Sequence, residues 1–283
     1  DSILIPTPTF NGQLQMLASL KRKIIEIPAD HRGIDLERLE FFMKQGSAKL
    51  CLLTANFQNP LGYCLSHQQK QKIAQLAQQY QCFILEDDIY GECSFQKERP
   101  LPIRYWDQQG YVIWCGSVSK SLSSAYRVGW FCLGQQLQHL RPQLLANNIG
   151  VNTPLQLGLA DFIYSRGYRE HLEGLRPKLM QQVEQYRAYI LEVFNGIPIA
   201  LSQSQGGYAL WMQLPENMTG LALYYLAHSQ GINIVPGEVF GEDLRYQHFI
   251  RLNAGHALTS EIRQAIQQLA DWVRESYLSQ SRL

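Results

Sequence analysis

The chain has 283 residues, a length that allows one large domain or two smaller domains with hydrophobic cores of their own. Apolar residues make up 46% of it and charged residues 17%, which excludes a disordered chain and is typical of a globular α/β protein. The formal net charge is +1 and the basic residues form no dense stripe, so the sequence indicates no nucleic-acid-binding surface.

Strand and helix patterns alternate through the first half of the chain. Strands are predicted over residues 2–6, 23–28, 49–55, 82–87, 111–117 and 127–134. The last three are short apolar runs of the type that is buried on both faces of a sheet. Helices are predicted over residues 11–20, 35–46 and 66–80, the last of which opens with a capping-box pattern and has a Gln-rich surface. This alternation predicts a mostly parallel, doubly wound sheet with helices on both faces.

The second half of the chain has a different pattern. Helices are predicted over residues 137–148 and 154–167, and helical periodicity then continues over 168–194, interrupted only by Pro177. The predicted elements beyond it are strands at 199–203, 207–215, 232–237 and 248–255 and helices at 220–231 and from about Ser260. We therefore expect a large domain over residues 1–164 and a smaller α+β domain over 165–283 that includes the long helix.

The cysteines and the apolar runs indicate the compartment. Six cysteines lie at irregular spacings without a C-x-x-C pair. No apolar run approaches the roughly 18 residues of a membrane span, and no signal peptide opens the chain. We expect a reduced, cytoplasmic protein without a membrane partner. Because the chain starts at Asp1 without an initiator methionine, we also expect it to be part of a longer protein.

Chemically active side chains follow the predicted strands, where α/β sheets bind their ligands. The motifs in chain order are PTF with Phe10, NPLG with Asn59, EDDIY with Asp87 and Tyr90, SVSK with Ser117, Ser119 and Lys120, and YRVGW with Arg127. Far downstream, Arg251 stands inside the apolar run FIRLN.

This ordered set resembles the fold type I superfamily of pyridoxal-phosphate enzymes that includes aspartate aminotransferase. It is most similar to the kynurenine/α-aminoadipate aminotransferase branch and to the effector domains of MocR-type regulators of the GntR group. The resemblance runs along the whole chain and implies the PLP-dependent transferase fold. It also implies pyridoxal 5'-phosphate as cofactor, an amino acid or 2-oxo acid as ligand, and a homodimer.

Lys120 is the predicted reactive amine. A lysine becomes nucleophilic when desolvation and nearby positive charge lower its pKa, and Lys120 has small neutral neighbours with Arg127 close in sequence. The resemblance implies that Lys120 forms the Schiff base with the cofactor and later acts as general acid and base. The alternative for an isolated lysine is a solvated loop residue.

The resemblance also implies the residues that hold the cofactor ring. Asp87 would face the pyridine nitrogen, and Tyr90 and Asn59 would hydrogen-bond the phenolic oxygen. Phe10 would stack on the ring, although an isolated Phe beside a strand is more often a core residue. An ordinary turn or helix-cap carboxylate is the alternative for the aspartates, and it suits Asp88 better than Asp87.

The remaining predicted contacts are ionic or polar. By the same resemblance Ser117, Ser119 and Arg127 bind the cofactor phosphate, a group that suits bidentate arginine, although the serines could instead form a turn. Arg251 would pair with the substrate carboxylate, because an arginine buried in an apolar strand needs a partner. His256 follows close behind and is expected to be a loop residue without a role.

Two other enzyme classes are excluded by missing partners. The S-x-x-K pattern of β-lactamases requires S-D-N and K-T-G motifs, and a nicotinamide dehydrogenase requires G-x-G-x-x-G, and neither set is present. Two functions stay open. The first is the aminotransferase-like effector domain of a GntR/MocR-type regulator, whose DNA contact would come from a domain not present in this chain. The second is a stand-alone class I/II amino acid aminotransferase.

One part of the expected site lies upstream of the first residue. The resemblance implies that a phosphate-binding turn at a helix N-terminus precedes PTF, so the N-terminal part of the large domain is expected to be missing here. Without that turn, charge-assisted hydrogen bonds of about 1.5–3 kcal/mol each are lost. We therefore expect weak binding of pyridoxal phosphate by these 283 residues. The sequence does not identify the amino acid.

Overall fold

The computed structural model describes residues 2–147, 150 and 152–280. Its larger sheet contains β1 (Ser2–Thr7), β2 (Lys23–Asp30), β3 (Gly33–Ile34), β4 (Ala48–Leu53), β5 (Phe83–Asp87), β6 (Val112–Ser117) and β7 (Gly129–Cys132). The strand order is β3-β2-β1-β4-β5-β6-β7. The five central strands run parallel to one another, whereas β3 and β7 at the two ends are antiparallel to their neighbours. The predicted mostly parallel mixed sheet is therefore confirmed.

Three helices connect the first strands of this sheet, namely α1 (Asn11–Ser19), α2 (Leu36–Lys44) and α3 (His67–Gln79). The predicted capping box is present at the start of α3, where Ser66 accepts from the Gln69 backbone and the Gln69 side chain accepts from the Ser66 backbone. Leu39 of α2 and Ile73 of α3 are fully buried in the core beside β4 and β5. These apolar contacts fix the helices against the sheet.

The second half of the chain contains a smaller antiparallel sheet. Its strands are β8 (Ala200–Leu201), β9 (Ala209–Gln213), β10 (Val235–Pro236) and β11 (Phe249–Asn253), in the order β10-β11-β9-β8. The helices of this half are α4 (Arg141–Asn147), α5 (Thr153–Tyr164), α6 (Arg166–Val193), α7 (Gly220–Ser229) and α8 (Ser260–Gln280). A separate hydrophobic core forms between this sheet and helices α6, α7 and α8. The predicted boundary between residues 164 and 165 stays a prediction.

Two predicted helices differ in detail from the structure. The segment predicted as one helix over 137–148 is a 3-10 helix, Gln135–Leu140, followed by α4, and residue 148 lies outside the described residues. The long helix α6 runs through Pro177 without interruption. Proline removes one backbone donor, which leaves the carbonyl four residues earlier without its helical partner. Glu173 and Pro177 are both exposed, so water can satisfy that carbonyl.

The strand β7 corrects the prediction that the run at 127–134 is buried on both faces. All four residues of β7 are exposed, and Phe131 is 51% exposed. The reason is position, because β7 lies at the end of the sheet and pairs with β6 alone among the described residues. An apolar run does not distinguish a central strand from an edge strand.

Two further observations concern the cysteines and the helices. All six cysteines are free thiols, and Cys51, Cys82 and Cys93 are buried. No helix within the described residues is long and apolar enough to cross a membrane.

Candidate functional site

The predicted site residues follow the strands of the larger sheet. Phe10 comes after β1, Asn59 after β4, Asp87 is the last residue of β5, and Lys120 lies beyond the end of β6. Because β1, β4, β5 and β6 are parallel, these positions fall at the same edge of the sheet. The fold therefore brings together residues that are far apart in the sequence.

A cavity of about 80 Å³ lies at this edge. Six of the nine predicted site residues line it, namely Phe10, Asn59, Asp87, Tyr90, Lys120 and Arg251. Gln13, Thr54 and Ile89 complete the lining. The cavity combines an aromatic ring, a carboxylate, an amine and a guanidinium, which is a set that can bind a charged aromatic ligand.

Asp87 supplies the carboxylate of the cavity. Its Oδ2 atom accepts a hydrogen bond from Nε2 of Gln13 at 3.1 Å, and its Oδ1 atom accepts from the backbone N–H of Ile89 at 3.3 Å. Burial raises the pKa of Asp87, and these two hydrogen bonds and the Lys120 ammonium oppose that rise. Asp87 is thus a half-buried carboxyl without a directly bonded cation within the described residues, beside a cavity that could admit one.

Asp88 has a different environment. Its oxygens accept from the Asn56 amide at 2.8 Å, from the Trp114 indole at 2.8 Å and from the Arg99 guanidinium. Asn56 in turn accepts at 2.6 Å from the ammonium of Lys70, which is fully buried. Because its partners are all within the protein, Asp88 has a structural role. This is a polar network rather than the helix cap considered from the sequence.

Lys120 and Tyr90 lie on the same side of the cavity. The Lys120 ammonium is 5.6 Å from the centre of the Tyr90 ring, within the range of a cation–π contact. Tyr90 is 7% exposed, and burial raises the pKa of its phenol to about 12. The Tyr208 ring packs edge-on against the Tyr90 ring at 5.5 Å between centres. Tyr90 is therefore a neutral hydrogen-bonding group at neutral pH.

The backbone around Lys120 is fixed by three side chains that the sequence did not indicate. The Cys93 thiol donates to the Lys120 carbonyl at 3.4 Å. His171 of α6 bonds the Ser121 carbonyl at 2.7 Å, and the Tyr168 and Ser121 hydroxyls are 2.8 Å apart. These contacts hold the lysine in one position at the end of β6.

Arg251 enters the cavity from the smaller sheet, where it pairs with Trp211 across β11 and β9. Burial lowers the pKa of Arg251. Its Nε atom and the Oδ1 atom of Asn59 are buried and have no hydrogen-bond partner within the described residues. An unsatisfied buried polar group is costly. A polar ligand in the cavity could satisfy both atoms.

Comparison with known proteins identifies the family. A family model for aminotransferases of class I and II matches residues 1–269. The chain belongs to this family. The resemblance predicted from the sequence motifs is thereby confirmed, and the family indicates pyridoxal phosphate as cofactor.

Some relatives of this chain are named as transcriptional regulators and others as aminotransferases. The uncharacterized HTH-type transcriptional regulator YdcR of Escherichia coli is 32% identical over 276 residues, covering 97% of this chain and 59% of the regulator. Aromatic-amino-acid aminotransferase 1 of Thermococcus litoralis is 28% identical over 284 residues, covering 97% of this chain and 67% of that enzyme. The chain thus spans about three fifths of the length of the regulator.

Solved structures confirm the fold. The α-aminoadipate aminotransferase LysN of Thermus thermophilus, complexed with N-(5'-phosphopyridoxyl)-L-leucine, superposes with a TM-score of 0.87 at 24% identity. The match covers 98% of this chain and 72% of LysN. The predicted PLP-dependent transferase fold is therefore confirmed for this aminotransferase-family chain.

Three predicted residues and His256 are not among the side chains that line the cavity. Ser117 and Ser119 are half-buried, and the Ser117 hydroxyl accepts from the Ser119 backbone at 3.1 Å, which is the turn contact considered as an alternative. Arg127 is exposed and has a φ of 52°. His256 is also exposed. The phosphate-binding role of Ser117, Ser119 and Arg127 stays a prediction.

A wider cleft of about 830 Å³ lies between residues 92–101 and helices α5 and α6. Its most deeply buried cation, Arg176, donates to the Glu92 carboxylate and to the backbone carbonyls of Glu92 and Lys97. Because the Arg176 donors are already paired within the protein, this cleft presents fewer unpaired polar groups to a ligand than the smaller cavity does.

The contrast between the two aspartates gives a test. We expect Asp88→Asn to lower the free energy of unfolding by about 3 kcal/mol, because the Trp114 and Arg99 donors lose a buried carboxylate partner. The matched variant Asp87→Asn should cause no loss at pH 7, since the raised pKa of Asp87 means that its ionised form disfavours the folded state. Urea denaturation measures both values. Equal losses in the two variants would contradict the assignment.

Proposed function

We propose that this chain binds pyridoxal 5'-phosphate and an amino acid in the cavity between its two sheets, as the aminotransferase-like effector domain of a GntR/MocR-type regulator. The observation that carries the proposal is the convergence of Phe10, Asp87, Tyr90, Lys120 and Arg251 on one cavity from four separate segments. Family membership and the regulators among the relatives support it.

When bound, pyridoxal phosphate supplies an aldehyde that reacts with amines and a pyridine ring that withdraws electrons. Lys120 would hold the cofactor covalently through its ε-amine. Asp87 would keep a proton on the pyridine nitrogen, which a half-buried carboxylate with a free side toward the cavity can do. Tyr90 and Asn59 would hydrogen-bond the phenolic oxygen, and Phe10 would cover one face of the ring.

The phosphate and the ligand carboxylate need separate cationic groups. We propose Ser117, Ser119 and Arg127 for the phosphate, since Ser117 ends β6 and the other two follow it in the segment that contains Lys120. We propose Arg251 and Asn59 for the carboxylate of the amino acid. The buried Nε donor of Arg251 without a partner supports this assignment, because a carboxylate satisfies a guanidinium in bidentate fashion. Asn59 would contribute through its amide NH₂ group, since its oxygen cannot bond a carboxylate.

A stand-alone amino acid aminotransferase is the second candidate, and the 28% identity to an aromatic-amino-acid aminotransferase favours it. Both functions use the same groups, so the distinction is chemical turnover. Amino acids are added to the cofactor-loaded chain, and pyridoxamine phosphate is measured by mass spectrometry. Formation of pyridoxamine phosphate together with the 2-oxo acid of the added amino acid would favour the enzyme, whereas ligand binding without these products would favour the effector domain.

Three broader features belong to the same proposal. A homodimer is supported by the exposed apolar residues Leu157 and Tyr164 on α5, which are 62% and 92% exposed. A cytoplasmic location is supported by the free cysteines. Contact with DNA would come from a separate domain, since the regulator YdcR is longer than the matched segment.

Lys120 provides the direct test of cofactor binding. The chain is mixed with increasing pyridoxal phosphate, reduced with borohydride, and digested for mass spectrometry. We expect Lys120 to be modified at lower cofactor concentrations than the exposed lysines, because Asp87, Tyr90 and Asn59 add contacts there. Lys120→Ala should abolish this labelling, and the exposed-lysine control Lys178→Ala should leave it unchanged. Preferential labelling of another lysine would refute the proposal.

Arg251 provides the test of ligand binding. Arg251→Ala should weaken amino-acid binding roughly ten- to a hundredfold, since a charge-assisted hydrogen bond contributes about 1.5–3 kcal/mol. Labelling of Lys120 by the cofactor should not change. Calorimetric titration measures the affinity, with the exposed arginine variant Arg263→Ala as control. An equal loss of cofactor and amino-acid binding would contradict the role of Arg251.

A further inference from the structure

The amide of Gln13 lies between a threonine and the carboxylate of the cavity. Gln13 is in the first turn of α1 and is 8% exposed. Its Oε1 atom accepts from the Thr9 hydroxyl at 2.9 Å, and its Nε2 atom donates to Oδ2 of Asp87 at 3.1 Å. Thr9 is 5% exposed, so the three groups form a chain of contacts largely shielded from water.

Both ends of this amide have a defined partner. An ionised carboxylate can only accept hydrogen bonds, so the NH₂ group of Gln13 must face Asp87. The amide oxygen then faces Thr9, which can donate its hydroxyl proton. The Asp87 carboxylate therefore determines which way the amide is oriented, and the Thr9 hydroxyl stabilises that orientation by donating to the amide oxygen.

These contacts define the environment of Asp87. Gln13 and the Ile89 backbone each donate to one carboxylate oxygen, which fixes the plane of the carboxyl group. A donated hydrogen bond favours the ionised form, whereas burial favours the neutral form. Because the donor is neutral, it favours ionisation without adding a cation that would compete with a positively charged ring nitrogen.

Other titratable groups act on Asp87 from each side. The Asp88 carboxylate raises the pKa of Asp87, and the Lys120 ammonium lowers it. Tyr90 and Cys115 also interact electrostatically with Asp87, and burial raises the pKa of both. Neither the phenol nor the thiol is charged at neutral pH. Within the described residues, Gln13 is therefore the one side chain that donates a hydrogen bond to Asp87.

We propose that Gln13 is a positioning residue that keeps Asp87 ionised and oriented toward the cavity, and that Thr9 stabilises the orientation of the Gln13 amide by donating to its oxygen. The proposal rests on the proposed function only where it concerns the cofactor ring. The hydrogen-bond chain itself belongs to the protein. A purely structural Gln13 would fill space beside Phe10 without affecting the titration of Asp87, and this difference can be measured.

The experiment measures the titration of Asp87 in the 283-residue chain without cofactor. Aspartate carboxyl groups are labelled with ¹³C and followed by NMR against pH, and the Asp87 signal is assigned by its loss in Asp87→Asn. Gln13→Leu keeps the volume and removes the donor, so we expect the titration midpoint to move to higher pH. The control Gln15→Leu, on the exposed side of α1, should leave the midpoint unchanged. An unchanged midpoint in Gln13→Leu overturns the proposal.

Two variants of Thr9 provide an independent test of the hydrogen-bond chain. They keep the proposal testable if Gln13→Leu fails to fold. Thr9→Val removes the hydroxyl and frees the amide to rotate, so it should also move the Asp87 midpoint to higher pH. Thr9→Ser keeps the hydroxyl and should restore the original midpoint. A midpoint that is the same in Thr9→Val and Thr9→Ser contradicts the role of Thr9 in stabilising the amide orientation.

Cofactor affinity provides a second readout. Gln13→Leu should bind pyridoxal phosphate roughly tenfold more weakly at neutral pH, since a hydrogen bond to a charged group is lost. Lys120 should still be labelled at saturating cofactor. If Lys120 is not labelled in the unchanged chain, the proposed function fails while the NMR result still stands. If Lys120 is labelled but Gln13→Leu changes neither affinity nor titration, the inference about Gln13 fails alone.

Discussion

A carboxylate buried at the end of a strand must be stabilised by donors or by positive charge, because its transfer from water into the protein interior is costly. Asp87 and Asp88 differ in the groups that stabilise their carboxylates. The Asp88 carboxylate accepts hydrogen bonds from Arg99, Trp114 and Asn56, so partners within the protein stabilise it. Within the part of the chain that the structure describes, Asp87 accepts hydrogen bonds only from the neutral Gln13 amide and the Ile89 backbone, and the Lys120 ammonium lowers its pKa without bonding to it. That difference leaves one carboxyl available to a ligand, and the rest of the cavity is arranged around it.

The cavity exists only where the two sheets pack together. Arg251 belongs to the smaller sheet, whereas Asp87 and Lys120 follow strands of the larger one. The connection is close to the site, since the Thr9 backbone donates to the Phe240 carbonyl at 2.9 Å and the Thr7 hydroxyl lies 3.2 Å from that of Tyr246. These contacts adjoin the turn that starts α1, so the packing of the smaller sheet and the orientation of the Thr9 hydroxyl depend on the same segment.

The sequence allowed the parallel sheet and most of the cavity to be predicted, because strand ends and their motifs are local features. The resemblance to the aminotransferase family selected Asp87 rather than Asp88. The contacts that no local pattern reveals were missed. Gln13 meets Asp87 across 74 residues of sequence, and nothing near Gln13 signals that contact. Lys70 lies in a Gln-rich helix predicted to face solvent, yet it is fully buried because the carbonyl of Leu101 and the amide of Asn56 accept from it.

Helix α6 connects the two ends of the cavity. Tyr168 and His171 near its start hold the backbone beyond Lys120, and Val183 further along packs in the core beneath the strand that carries Arg251. A displacement of α6 would therefore change the separation of the Lys120 amine and the Arg251 guanidinium. A ligand that contacts both groups would shift the position of the helix only if it bound one position better than another, and only by that difference in affinity. An effector domain and an enzyme thus need no different side chains here. The two functions would differ in whether the free energy of ligand binding favours one position of α6 or stabilises a transition state.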